Sequence, residues 1–146
     1  MIKVEVSAIV NPTEDIKRVS LAIFNMFKEL ETAVDESMPK QRIVGHGDIE
    51  SLFTMHNLLR QERQLDTART QLNKGHSIDG LSTDFMLNKQ VATVNRLNFP
   101  AIEEPLGSIH VTITASSEEE LEHLKDWLAP KTEDGVPLID LNVNDI

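Results

Sequence analysis

The chain has 146 residues, a formal net charge of -10, and 40% apolar and 26% charged residues, a balance that suits one globular domain with a genuine hydrophobic core. The absence of cysteine excludes disulfides, thiolate metal sites and a cysteine nucleophile, and fits a reducing cytoplasm. No apolar run approaches the roughly 20 residues of a membrane helix, and MIKVEVSAIV alternates too regularly for a signal peptide.

Ile2, Val4, Val6 and Ala8 alternate with polar residues, which predicts a strand with one buried face. Asn11, Pro12 and Glu14 then resemble a capped helix start. The helix that follows carries Ile16, Val19, Ala22, Ile23, Met26, Phe27 and Leu30 on one stripe. Short strands are expected at Thr32–Val34 and Arg42–Val44, around a turn at Ser37–Lys40. Asp48 caps a long central helix running to about Leu72, which Gly75 stops.

Leu81 to Leu87 reads as a strand, with Gln90 to Val94 as its hairpin return after a turn at Asn88-Lys89. From Gly107 a strand places Ile109, Val111 and Ile113 on one face and His110, Thr112 and Thr114 on the other. Ser117 and Glu120 form a capping box, with acidic groups at the positive helix end. Leu121, Leu124, Trp127 and Leu128 make the buried stripe of that helix, and Pro130 ends it. The expected architecture is a single α+β domain over residues 1–130, with helices packed on one face of a mainly antiparallel sheet. Residues 131–146 read as a polar tail in which Val136, Leu138, Ile139 and Leu141 are candidates to dock.

Charge is unevenly spread. Residues 1–59 carry net -3, residues 60–96 net +2 and residues 97–146 net -9. The basic middle opens on RQERQLDTARTQLNKG. At 100° per residue, Arg60, Arg63, Thr67, Thr70 and Lys74 fall within about 80° of one another, opposite Leu58, Leu65, Ala68 and Leu72. Two readings of that stripe stand: solvated charge, or guanidinium and hydroxyl groups placed for phosphate oxygens. Lys89 and Arg96 extend the second. Arg69 borders the apolar stripe three residues after Asp66, which reads as a structural ion pair.

No motif calls for catalysis, a cofactor or a metal. HExxH, GxGxxG, Walker-type and GxSxG patterns are absent from the sequence. With five Phe, one Trp and no Tyr, base stacking has few platforms, so contact with RNA would be to backbone and shape.

Five segments in order, VEVSAIVNPTED, LLRQERQLDTAR, FMLNKQVATVNRLNF, EEPLGSIHVTI and LKDWLAPKTEDGVPL, resemble an archaeal family of uncharacterised proteins, number two hundred and one in the UPF series. The resemblance implies a predicted RNA-binding protein with an α+β fold. That fold is likened to double-stranded-RNA-binding domains and to the ribosomal protein that binds five-S RNA. It covers Arg60, Arg63, Asp66, Thr67, Arg69, Asn88, Lys89 and Gln90, and departs at Asn95, where a glycine is expected.

The resulting expectation is a non-enzymatic cytoplasmic protein. It contacts RNA through Arg60, Arg63, Lys74, Lys89 and Arg96, and Asp66–Arg69 holds the helix. The alternative is a protein-interaction module whose acidic surface meets basic proteins, or an oligomer of the chain with itself.

Overall fold

The computed structural model describes residues 1–36 and 40–146. Of the expected turn at Ser37–Lys40, all but Lys40 lies outside them. Five strands form one antiparallel sheet in the order β2-β3-β1-β5-β4. They are β1 (Lys3–Val10), β2 (Glu31–Asp35), β3 (Gln41–Gly47), β4 (Ser82–Leu87) and β5 (Ile109–Thr114). The period-2 pattern of β1 sends Val4, Val6, Ala8 and Val10 inward, and β5 does the same with Ile109, Val111 and Ile113. Helices α1 (Ile16–Met26), α2 (Phe53–Gln61), α3 (Leu65–Lys74) and α5 (Glu118–Leu128) bury their apolar stripes in the same core. The class is α+β. Trp127 is buried, as its stripe requires.

The opposite sheet face is open. Register places Asp84, Thr112, Glu5, His46 and Glu31 in one row across all five strands. The row is acidic and polar, and its one ring is the His46 imidazole.

Four local expectations are corrected. First, α1 begins at Ile16 with Asp15 as its cap. Asn11 instead closes a preceding turn, donating through N and Nδ2 to Glu14. Second, the long central helix is broken. After a 3-10 turn at Ile49–Leu52, α2 ends at Gln61 and α3 starts at Leu65. Between them Arg63 takes φ 54, Gln64 N–H bonds Leu59 O and Arg63 N–H bonds Arg60 O. That is a Schellman ending without glycine, which is why the sequence shows no stop there.

Third, no strand returns after β4. The Asn88 side chain accepts from Val91 N–H and starts a short helix, α4 (Lys89–Ala92), and β4 pairs with β5 instead. Fourth, of the tail residues expected to dock, Leu141 packs on the core together with Val143 and Ile146, whereas Val136, Leu138 and Ile139 are exposed. The tail folds as a small hairpin, β6 (Thr132–Glu133) and β7 (Val136–Pro137).

Candidate nucleic-acid interface

The break in the central helix decides where the arginines go. With α2 ending at Gln61, Arg60 turns toward the end of α5. It donates to the carbonyls of His56, Leu128 and Trp127 and pairs with Asp140 at 3.1 Å. Arg69 pairs with Asp126 at 2.9 Å and donates to Ala129 O. Asp66 accepts from the Thr132 hydroxyl. The carboxylate partner of Arg69 is thus Asp126 rather than Asp66, because the helix C-terminus it faces lies across the core on α5. Arg60 and Arg69 together staple α5 and the tail to the central helices.

Lys89 is 2% exposed. Its ammonium donates to Glu14 Oε1 at 2.8 Å, Ile9 O at 2.8 Å and Leu106 O at 2.6 Å, so its donors are spent inside the fold. Lys74 is exposed, but at the far end of α3. There it lines a groove with Gln71, Asp84 and His110, beside the open sheet face.

The segments that carry Arg63 and Arg96 are joined through the neighbours of Arg63. Glu62 accepts from Arg96 Nε at 3.1 Å and from Leu97 N at 3.1 Å, and Gln64 Nε2 donates to Leu97 O at 2.6 Å. These bonds strap the chain after α4 onto the α2–α3 junction. Arg96 remains 70% exposed, and Arg63 is exposed with no side-chain partner among the described residues.

Two grooves flank this segment. One, of about 410 Å3, is lined by Gln61, Gln64, Asn95 and Arg96. The other, of about 290 Å3, is lined by Thr13, Arg18, Gln90 and Thr93. Asn25, buried on α1, donates to Ala92 O and Thr93 O and locks α1 against α4. That contact sets Arg18 beside Gln90 and Thr93 of the α4 segment. Arg18 was legible only as a cation on the polar side of α1. The surface offers guanidinium, amide and hydroxyl donors suited to phosphate and 2′-hydroxyl oxygens, beside the carboxylates of Asp15, Glu14 and Glu62, the last two paired with Lys89 and Arg96.

Comparison with known proteins bears on this surface. A family model described as "RNA binding" matches residues 3–115. A UPF0201 protein of Methanosarcina acetivorans is 44% identical, covering 99% of this chain and 94% of that one. One from Sulfolobus acidocaldarius is 43% identical over 94% of each. This chain belongs to the UPF0201 family. The crystal structure of a UPF0201 protein from Methanococcus jannaschii superposes with a TM-score of 0.84 at 33% identity, covering 94% of this chain and 99% of that one. A DUF54 protein from Methanothermobacter thermautotrophicus, 18% identical with a TM-score of 0.57, shares the fold. The curated UPF0201 relatives named here are archaeal.

The matched segment carries 12 basic and 15 acidic groups, whereas residues 116–146 carry 2 and 9. The family match thus ends where the chain becomes strongly acidic. Among the described residues no helix is long and apolar enough to cross a membrane.

Proposed function

We propose that this UPF0201 protein is a non-catalytic RNA-binding protein. It contacts the sugar–phosphate backbone through the α4 surface, with Arg18, Arg63 and Arg96 as phosphate ligands and Gln61, Gln90, Thr93 and Asn95 as hydrogen-bonding neighbours. Translation or RNA processing is the setting such chemistry suits.

The observation that carries the reading is that Arg18 and Arg96 each line a groove beside α4 and its exit, with exposed Arg63 at the α2–α3 junction strapped to that exit, inside the segment matched by the RNA-binding model. Elsewhere in that segment Arg60, Arg69 and Lys89 are tied to internal acceptors. Backbone recognition also fits an open sheet face that is mainly acidic and carries no Phe, Tyr or Trp ring, a poor platform for stacked bases.

Duplex RNA binding followed by fluorescence anisotropy across a salt series tests the proposal. Binding is expected to weaken with salt, and each arginine removed is expected to lower the slope of log K against log salt by roughly one. Absent or salt-insensitive binding, or binding unchanged by combined Arg18→Ala, Arg63→Ala and Arg96→Ala, sinks the reading.

A further inference from the structure

We infer that the outward face of α1 holds a stacking site for an unpaired RNA base, with Phe24 as its platform. The inference rests on the RNA-binding reading above and deepens it, because it makes the preferred ligand a duplex that adjoins a single strand. Aromatic rings are few in this chain, and most are used. Phe27 and Phe85 are buried, Phe99 packs on Phe85 at a centroid distance of 6.0 Å, and Phe53 meets Trp127 edge-on at 6.0 Å. Phe24 is 56% exposed and pairs with no other ring among the described residues. Its partner is the Lys28 ammonium, 5.4 Å from the ring centroid, a cation–π contact that is weak at an exposed site.

The charge around the ring selects the occupant. At 100° per residue, Lys17, Ser20 and Leu21 fall within about 60° of Phe24 on α1, and all three are exposed. Arg18 lies about 60° beyond Leu21 and lines the groove beside Gln90 and Thr93. Residues 16–28 hold Lys17, Arg18 and Lys28 and no acidic residue, in a chain whose net charge is -10. None of these cations has a carboxylate partner among the described residues. Asp15, the cap, falls on the opposite side of the helix, and Glu29 lies beyond its end. A base presents a flat face to the ring while its phosphates meet the cations on either side. An apolar protein segment would leave those cations unanswered. A second copy paired through the same face would set α1 against its own like charges.

Labelled duplex RNA, blunt or with a single-stranded overhang of about six nucleotides, serves as the probe, read by fluorescence anisotropy on the full chain. The overhang is expected to tighten binding roughly fivefold or more. Phe24→Tyr should keep that gain. Phe24→Leu, equal in charge, should lose most of it with the salt slope unchanged. Position 24 is exposed, so both variants keep the fold, which circular dichroism verifies. Equal binding of the two RNAs by wild type overturns the inference, as does a gain that Phe24→Leu retains. So does a wild-type dimer in sedimentation that Phe24→Leu weakens, since a second copy would then cover the ring. If neither RNA binds, the RNA-binding reading fails and takes the stacking site with it. Duplex binding that is indifferent to position 24 removes the stacking site alone.

Discussion

Lys89 and Glu14 meet at 2.8 Å with side-chain exposures of 2% and 10%. The pair joins the start of α4 to the turn before α1, and the same ammonium reaches the carbonyl ends of β1 and of the loop at Leu106. A buried pair of this kind adds little net stability, but removing one partner strands the other charge. Glu14→Ala is therefore expected to cost about 3–5 kcal/mol, and Lys89→Met with Glu14→Leu distinctly less than Glu14→Ala alone. Urea unfolding of the single and double variants measures the difference.

Acid should unfold the protein in two stages. Burial and the nearby Arg60 guanidinium hold the His56 imidazole below its ordinary 6.5, while its ring stacks on Trp127 at 4.5 Å. A depressed histidine contributes stability that is present above 6.5 and lost as pH falls toward its folded value. For Glu14, burial opposes ionisation, but hydrogen bonds from Lys89 and Asn11 outweigh it and leave the carboxyl below 4.5. The backbone N–H of Ser116 lowers Glu120 and the Lys125 ammonium lowers Glu122. These carboxylates contribute stability above 4.5 that disappears as pH drops below it. The expected Tm profile begins to fall below the histidine range and steepens in the carboxylate range. His56→Phe keeps an aromatic ring against Trp127 and should remove the first stage alone. Differential scanning calorimetry at a series of pH values reads both.

Three positions where backbone geometry dictates residue type give opposite expectations. A Cβ on Gly75 would lie 1.8 Å from the Asp84 carbonyl oxygen, where Gly75 O accepts from Asp84 N. Gly75→Ala should push α3 off β4 and cost more than the roughly 1–3 kcal/mol of ordinary overpacking. Arg63 and Asn95, by contrast, hold φ 54 and 62, the left-handed region that disfavours most side chains. Arg63→Gly should gain about 0.5–1 kcal/mol, and Asn95→Gly less, since asparagine already tolerates the region. Chemical denaturation midpoints resolve the signs.

Arg60 and Asp140 differ in what they leave behind. Asp140 is 69% exposed, and such surface pairs contribute about 0–1 kcal/mol. Asp140→Asn should accordingly leave the Tm almost unchanged. Arg60→Ala strips the carbonyls of Trp127 and Leu128 of a charged donor at the end of α5. It should cost about 2–3 kcal/mol and alter Trp127 fluorescence, because the tail and the His56 stack share that corner.

The strands and the two outer helices were legible because their apolar periods are clean, as in Val4, Val6 and Ala8 or Leu121, Leu124 and Leu128. The central break was not. A Schellman ending is ordinarily announced by glycine, and here Arg63 fills the position. That one residue turned the expected stripe of Arg60, Arg63 and Lys74 into three separate environments. Lys89 misled for a related reason. Sequence gives its charge but not the carbonyls of Ile9 and Leu106, which converge only in the fold. Asn95 holds φ 62, a conformation that glycine adopts without strain. The site is a left-handed helix ending, in which Arg96 N–H bonds Val91 O, rather than a close backbone approach.

The individual arginines therefore separate RNA contact from folding. Arg63 and Arg18 are exposed and free of side-chain partners among the described residues. Their alanine variants should leave the unfolding free energy within about 0.5 kcal/mol of wild type, as surface substitutions do, while each weakens RNA binding and flattens its salt dependence. Arg96→Ala should do the same with a small stability cost, because Glu62 keeps its bond from Leu97 N. Lys74→Ala removes an equally exposed cation at the other end of α3. It should change the affinity by no more than the roughly twofold effect of one distant screened charge. Lys89→Met should lower stability and reduce RNA binding only in proportion to the unfolded fraction. Measuring anisotropy and Tm on the same five proteins distinguishes a contact surface around α4 from a general response to net charge. Under the latter, Lys74→Ala and Arg63→Ala would weaken binding equally.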